Sequence, residues 1–201
     1  HYYGRPDADH ITFNPDATSL TGWAGRVELN KEKGNFLFNA AVGAVSPGFD
    51  VRDSGFQWDA DLVNAHIMAG YRSYKPGKVV RNWNLLLFTQ RNYDFSGMKT
   101  GEQRLITIAN VTLKNYWSLY GQFSYNPGHW QNHETRGGVV IRCPAFNWFD
   151  FGIDSDSRRK LVLGVGGHLR RGPDVSRHRQ GYFSLRWKPS SNVSVQLTPQ
   201  Y

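Results

Sequence analysis

Residues 63–72 read VNAHIMAGYR, in which Val63, Ala65, Ile67, Ala69 and Tyr71 alternate with Asn64, His66, Gly70 and Arg72. A period of two over ten residues puts the apolar set on one face of a β-strand and the polar set on the other, whereas a helix would repeat every 3.6 residues. The same period extends in both directions. Upstream, Trp23, Val27 and Leu29 alternate with Arg26 and Glu28, and Phe36, Phe38, Ala40, Val42 and Ala44 share a face. Downstream, one face is carried in turn by Trp83, Leu85 and Leu87, by Leu105, Ala109, Val111 and Leu113, and by Trp117, Leu119, Phe123 and Tyr125. It continues through Phe149, Phe151 and Ile153, through Leu161, Leu163, Val165 and Leu169, through Phe183, Leu185 and Trp187, and through Val193, Val195 and Leu197. Leu86 and Phe88 are apolar exceptions on the polar side. The pattern predicts ten strands and no helix: an all-β fold, antiparallel and up-and-down.

The connections sharpen the architecture. Short ones at 31–34, 74–78, 114–115, 155–159 and 189–191 are rich in Gly, Pro, Asn and Ser, the residues of tight turns. Between them lie longer ones at 47–59, 94–103, 127–147 and 171–179. Short-long alternation gathers the tight turns at one end of a meander and the long loops at the other, the layout of a transmembrane β-barrel or an open section of one. Strand candidates of about 10–14 residues match the ~9–11 that cross a bilayer when tilted. Trp23, Trp83, Tyr93, Trp117, Tyr125, Trp187 and Tyr201 fall near strand ends, where interfacial aromatic girdles sit. The competing architecture is a soluble β-sandwich, whose strands average five or six residues over a Val/Ile/Leu core.

Composition agrees. The 201 residues include 12 Phe, 10 Tyr and 7 Trp, too many aromatics for a disordered polar chain. No run nears the ~18 apolar residues of a spanning helix, and mean hydropathy is −0.55, which excludes a helical membrane protein but not a strand-built one. The single cysteine, Cys143, removes intrachain disulfides and cysteine-based zinc sites. The chain opens at His1 without an apolar leader, as a mature piece or fragment would. Residues 1–18 read as a leading loop and 19–201 as strands of one domain.

Several stretches, HYYGRPDADH (1–10), SPGFDVRDSGFQWDAD (46–61), YRSYKPGKVVRNWN (71–84), TLKNYWSLYGQFSYN (112–126), the Arg136–Gly138 triplet, GIDSDSRRKLVLGVGG (152–167) and LRWKPSSNVSVQLTPQY (185–201), together resemble a bacterial outer-membrane barrel family. That family is catalogued as a domain of unknown function and usually follows a family 9 carbohydrate-binding-like domain. The likeness runs in order over nearly the whole chain. It implies a location in the Gram-negative outer membrane, correspondence to the later part of the barrel, and a context of surface carbohydrate handling. It implies no catalytic residue.

Candidate chemistry is sparse. His129 and His133 in HWQNHE would share a metal only on a helix, which Pro127-Gly128 and Gly137-Gly138 oppose. Asp154 and Asp156 beside Arg158 and Arg159 read as turn capping, and no hydrolase or nucleotide fingerprint occurs. A non-enzymatic protein without metal or cofactor is expected. A formal charge of +8 admits nucleic acid, but no basic helix is present and no nucleic-acid partner is expected. The expected partners are outer-membrane lipid, lipopolysaccharide and glycan. Arg52, Trp58, His129, Trp130, Arg177 and Arg179 are expected to bind them at the long-loop rim, by stacking on the indoles and by phosphate pairing through the guanidinium groups. Inside, Arg26, Arg72, Arg170 and Arg186 with His66 and His168 would line a passage or form an ion-pair network with Glu28. In the soluble alternative, a carbohydrate-binding module, Phe56, Trp58 and Trp130 would stack on sugar rings; a hydrolase would need two convergent carboxylates.

Overall fold

The computed structural model describes residues 5–6, 8–57, 59–131, 134–135, 137–173 and 177–201. They contain no helix. The strands are β1 (Ala24–Lys31), β2 (Phe36–Val45), β3 (Leu62–Ser73), β4 (Val80–Tyr93), β5 (Arg104–Leu113), β6 (Ser118–Asn126), β7 (His129–Gln131), β8 (Ile141–Cys143), β9 (Phe146–Asp154), β10 (Leu161–Arg171), β11 (His178–Ser190) and β12 (Val193–Leu197). Ten of them form one sheet in the order β1-β2-β3-β4-β5-β6-β9-β10-β11-β12, every pair antiparallel. The expected all-β meander of ten strands is therefore the fold. The sheet is open, since β1 and β12 are its two edges.

Two connections differ from expectation. The 127–147 connection carries a small hairpin, β7 paired with β8, outside the main sheet. Its three-residue strands are too short for a period to register. The connection expected at 171–179 is shorter, because the ladder continues through Leu169↔Arg179 and Arg170↔His178 and leaves only residues 172–177 between β10 and β11.

Register makes the two faces continuous. Val27 opposes Val42, Tyr71 opposes Leu85, Val111 opposes Leu119, Phe123 opposes Phe149, Val165 opposes Phe183 and Leu185 opposes Leu197, so one apolar surface crosses all ten strands. On β10 the apolar Leu161, Leu163, Val165 and Leu169 are exposed, whereas Val162, Gly164 and Gly166 of the opposite face are buried. The sheet thus curves around its polar face. Among the described residues only three hydrophobic side chains are buried, Ala8, Ala41 and Val162, against eleven polar or charged ones. That inverts the distribution of a water-soluble domain.

Candidate functional site

Curvature concentrates chemistry on the inner face of β6, β9, β10 and β11. Gln122 opposes Asp150, Asp150 opposes His168, and His168 opposes Gln180. Cross-strand partners on one face have Cβ atoms ~5 Å apart, so the four side chains form a polar row. His168 Nδ1 lies 2.5 Å from Asp150 Oδ1, which orients the imidazole. The Tyr120 hydroxyl donates to Gln122 Oε1 at 2.7 Å, and Gln180 Nε2 donates to Gln200 Oε1 at 2.9 Å. The His178 ring stands 5.6 Å from that of His168.

Tyr182 completes the site by lying across two glycines. A Cβ on Gly166 would meet the Tyr182 hydroxyl and the Phe151 carbonyl at 2.4 Å, and one on Gly152 would meet the same hydroxyl at 3.0 Å. Only glycine lets the ring lie flat there. Tyr120, Asp150, His168, His178, Gln180 and Tyr182 border a groove of about 490 Å³. Phenol faces, amides and a carboxylate–imidazole pair offer stacking with donors and acceptors, the complement of a hydroxyl-rich solute. Asp154 is the next carboxylate on this face, four residues along β9 and so ~13 Å away, beyond the ~5–9.5 Å at which two carboxyls flank a glycosidic bond.

The other inner-face residues divide. Arg26 pairs with Glu28 at 3.2 Å, Glu28 accepts from Asn39 at 2.6 Å, and His66 Nε2 lies 2.6 Å from Asn39 Oδ1. The ion pairing to Glu28 stops there. Arg72 donates to the carbonyls of Gly34 and Glu32, Arg186 to Gln196 Oε1, and Arg170 stacks over Phe146 at 4.2 Å.

At the long-loop rim, Arg52 forms an ion pair with Asp50 at 2.6 Å. His129 on β7 is buried, its Nδ1 without a hydrogen bond, and burial holds its pKa below the usual imidazole value. Trp130 is exposed; its backbone N–H donates to the Lys99 carbonyl, and the Arg142 guanidinium lies 5.9 Å from its ring centroid. Arg177 precedes β11 and Arg179 is within it, both beside another groove, over Phe149 and Leu169. Trp58, His133 and Arg136 lie outside the described residues.

Sequence reading did not find the buried cluster that ties the leading segment to this rim. Arg5, 1% exposed in its side chain, lies 3.5 Å from Asp61 and 3.7 Å from Asp94, while His10 Nε2 is 2.9 Å from Asp61 Oδ1. Asp94 Oδ1 also accepts from Ser96 and Met98. His10, Asp61 and Asp94 could in principle converge on a cation, but the Arg5 guanidinium already faces both carboxylates. At the opposite end, the turn-capping expectation holds for Asp156, while Asp154 ends β9 without such a bond among the described residues. Asp156 accepts from the Arg158 backbone, Nε and Nη2, and those bonds lower its pKa to about 2.

No curated protein and no solved structure matches the chain. A family model does, over residues 2–201, and by that match the chain belongs to the family described as a domain of unknown function, DUF5916.

Proposed function

We propose that this domain is a section of an outer-membrane β-barrel wall, non-enzymatic, that binds or passes a hydroxyl-rich solute along its inner face. The observation that carries the reading is the run of exposed large apolar side chains across all ten strands, on the face opposite the alternating polar residues. In water, an exposed apolar patch beyond a few hundred Å² would be a liability; in a bilayer it is the expected exterior. The aromatics support it. Tyr71, Trp83, Trp117 and Trp187 lie on the outward face at the short-turn end, and Trp23, Tyr93 and Tyr125 on that face at the long-loop end. From Trp83 to Tyr93 on β4 is ten residues, ~33 Å along the strand and ~25 Å in height at a tilt of about 40°.

Membrane fractionation of cells making the full-length protein tests this. It should stay in the outer-membrane pellet after alkaline extraction, and release into the soluble fraction would favour the carbohydrate-binding module instead. Within the membrane protein, Tyr182→Ala and His168→Ala should weaken oligosaccharide binding or flux if the inner groove is the solute site.

A further inference from the structure

Beside the inner groove, the outward face carries a second one, of about 590 Å³, where β6, β9, β10 and β11 reach the long-loop end. Its floor is apolar. Phe123 opposes Phe149, Phe149 opposes Leu169, and all three are exposed. Its edge is cationic: Leu169 opposes Arg179, Asn147 opposes Arg171, and Arg177 borders the same space. Arg171, Arg177 and Arg179 are exposed, and among the described residues none has an ion pair. Arg26, Arg52, Arg104 and Arg158, by contrast, each pair with a carboxylate: Glu28, Asp50, Glu102 and Asp156. Three guanidinium groups without an ion pair among the described residues therefore crown an apolar strip at one level of the wall.

That sequence of chemistry, cation above aromatic above aliphatic, complements an amphiphile with an anionic head and acyl chains. The guanidinium fork matches phosphate oxygens in bidentate fashion, and among the described residues no carboxylate pairs with it here. Phe123, Phe149 and Leu169 offer the chain a surface continuous with the rest of the outward band. We propose that this groove is a binding site for a phosphorylated acyl lipid of the outer leaflet, lipopolysaccharide, whose headgroup phosphate is held by Arg171 and Arg179 with Arg177 beside them. The inference rests on the membrane reading above, together with the general layout of outer-membrane barrels, in which the longer loops face the exterior.

The test is native mass spectrometry and titration of the full-length protein in non-ionic detergent with bisphosphorylated lipid A, its dephosphorylated form, and inorganic phosphate. Bisphosphorylated lipid should bind best, and the preference should shrink as salt rises. The double variant Arg171→Ala/Arg179→Ala should weaken that binding at least about tenfold, since both charge-assisted contacts to the phosphate are lost. Arg171→Lys/Arg179→Lys should recover part of it, and Lys75→Ala/Lys78→Ala at the short-turn end should match wild type. Both arginines are exposed, so their loss should leave unfolding unchanged. Equal binding of the dephosphorylated lipid, equal binding of inorganic phosphate, or an unaffected double variant would each overturn the site. A protein that inserts into membranes without phosphate-dependent binding sinks this proposal alone; one that carries no detergent and does not insert sinks the membrane reading with it.

Discussion

The strand wall and the long-loop rim are stabilised by opposite means. In the wall, the apolar side chains face outward and the inner face is a lattice of hydrogen bonds such as Asn39–Glu28, Asn64–Asn92 and Asn110–Asn84. In the rim, Arg5, Asp61, Asp94, Gln103 and His129 are buried within the protein. Gln103, fully buried, donates to the Asn92 carbonyl at 2.7 Å and the Thr100 carbonyl at 3.1 Å. On the membrane reading proposed above, the wall relies on an apolar medium around its outward face, whereas the rim relies on its own charge pairs. One region should therefore respond to the solvent around it, and the other to protonation and to loss of a partner.

The largest effect should come from the rim. Arg5→Ala leaves two buried carboxylates without their guanidinium, and removing one partner of a buried pair typically costs ~3–5 kcal/mol. Denaturant unfolding of the detergent-solubilised protein should show a loss of that order, with earlier proteolytic cleavage in the leading segment. An unchanged midpoint would break the contrast. Next comes the wall. Ile67→Arg, in the middle of β3 on the outward face, should cost ~2–4 kcal/mol in lipid vesicles, whereas Gln122→Arg on the inner face should cost under about 1 kcal/mol. Equal costs would mean the two faces do not see different media.

Two smaller effects concern pH. His129 has a folded-state pKa below its unfolded value because burial opposes the charge. Below about pH 6.5 the unfolded chain therefore takes up a proton that the folded rim resists, and stability from this group, present above that pH, is lost as pH falls. The protection factor of the Trp130 amide, its exchange rate relative to the unprotected rate at the same pH, should fall between pH 7.5 and 5 while those of the β10 amides do not change. Asp156, at the short-turn end, works lower on the scale. Its pKa of about 2 lies below the usual carboxylate value, so its contribution is complete above about pH 4 and is lost between about 4 and 2. Carbon-detected NMR titration of its carboxyl should place the midpoint near 2, and Arg158→Ala should raise it.

What was legible in the sequence follows from how local each signal is. Alternation over Val63–Tyr71 or Leu161–Leu169 is carried by neighbours along one strand, so faces, strand order and tight turns were all readable. The Asp156–Arg158 cap was readable too, since its partners are two residues apart. Arg5 meets Asp61 and Asp94 from far along the chain, and no periodicity announces such a pairing, so residues 1–18 read as loop alone. Asp150 and His168 are 18 residues apart on adjacent strands, and their pairing depends on register, which a sequence pattern leaves open by two-residue steps. Ile106 and Ile108 break the alternation of β5, since they put apolar residues on the face of Arg104 and Asn110 while Thr107 interrupts the opposite one.

The most direct test of the wall is where its tryptophans sit. Single-tryptophan versions retaining Trp23, Trp83, Trp117 or Trp187, reconstituted as full-length protein in vesicles with lipids brominated at defined acyl depths, report depth by fluorescence quenching. The account predicts quenching of all four by shallow bromines, and by deep bromines only when tryptophan is placed at Ile67 (Ile67→Trp in a background lacking the others). Indifference of every position to bromine depth, with emission shifted no further by lipid than by buffer, would contradict a lipid-facing apolar surface.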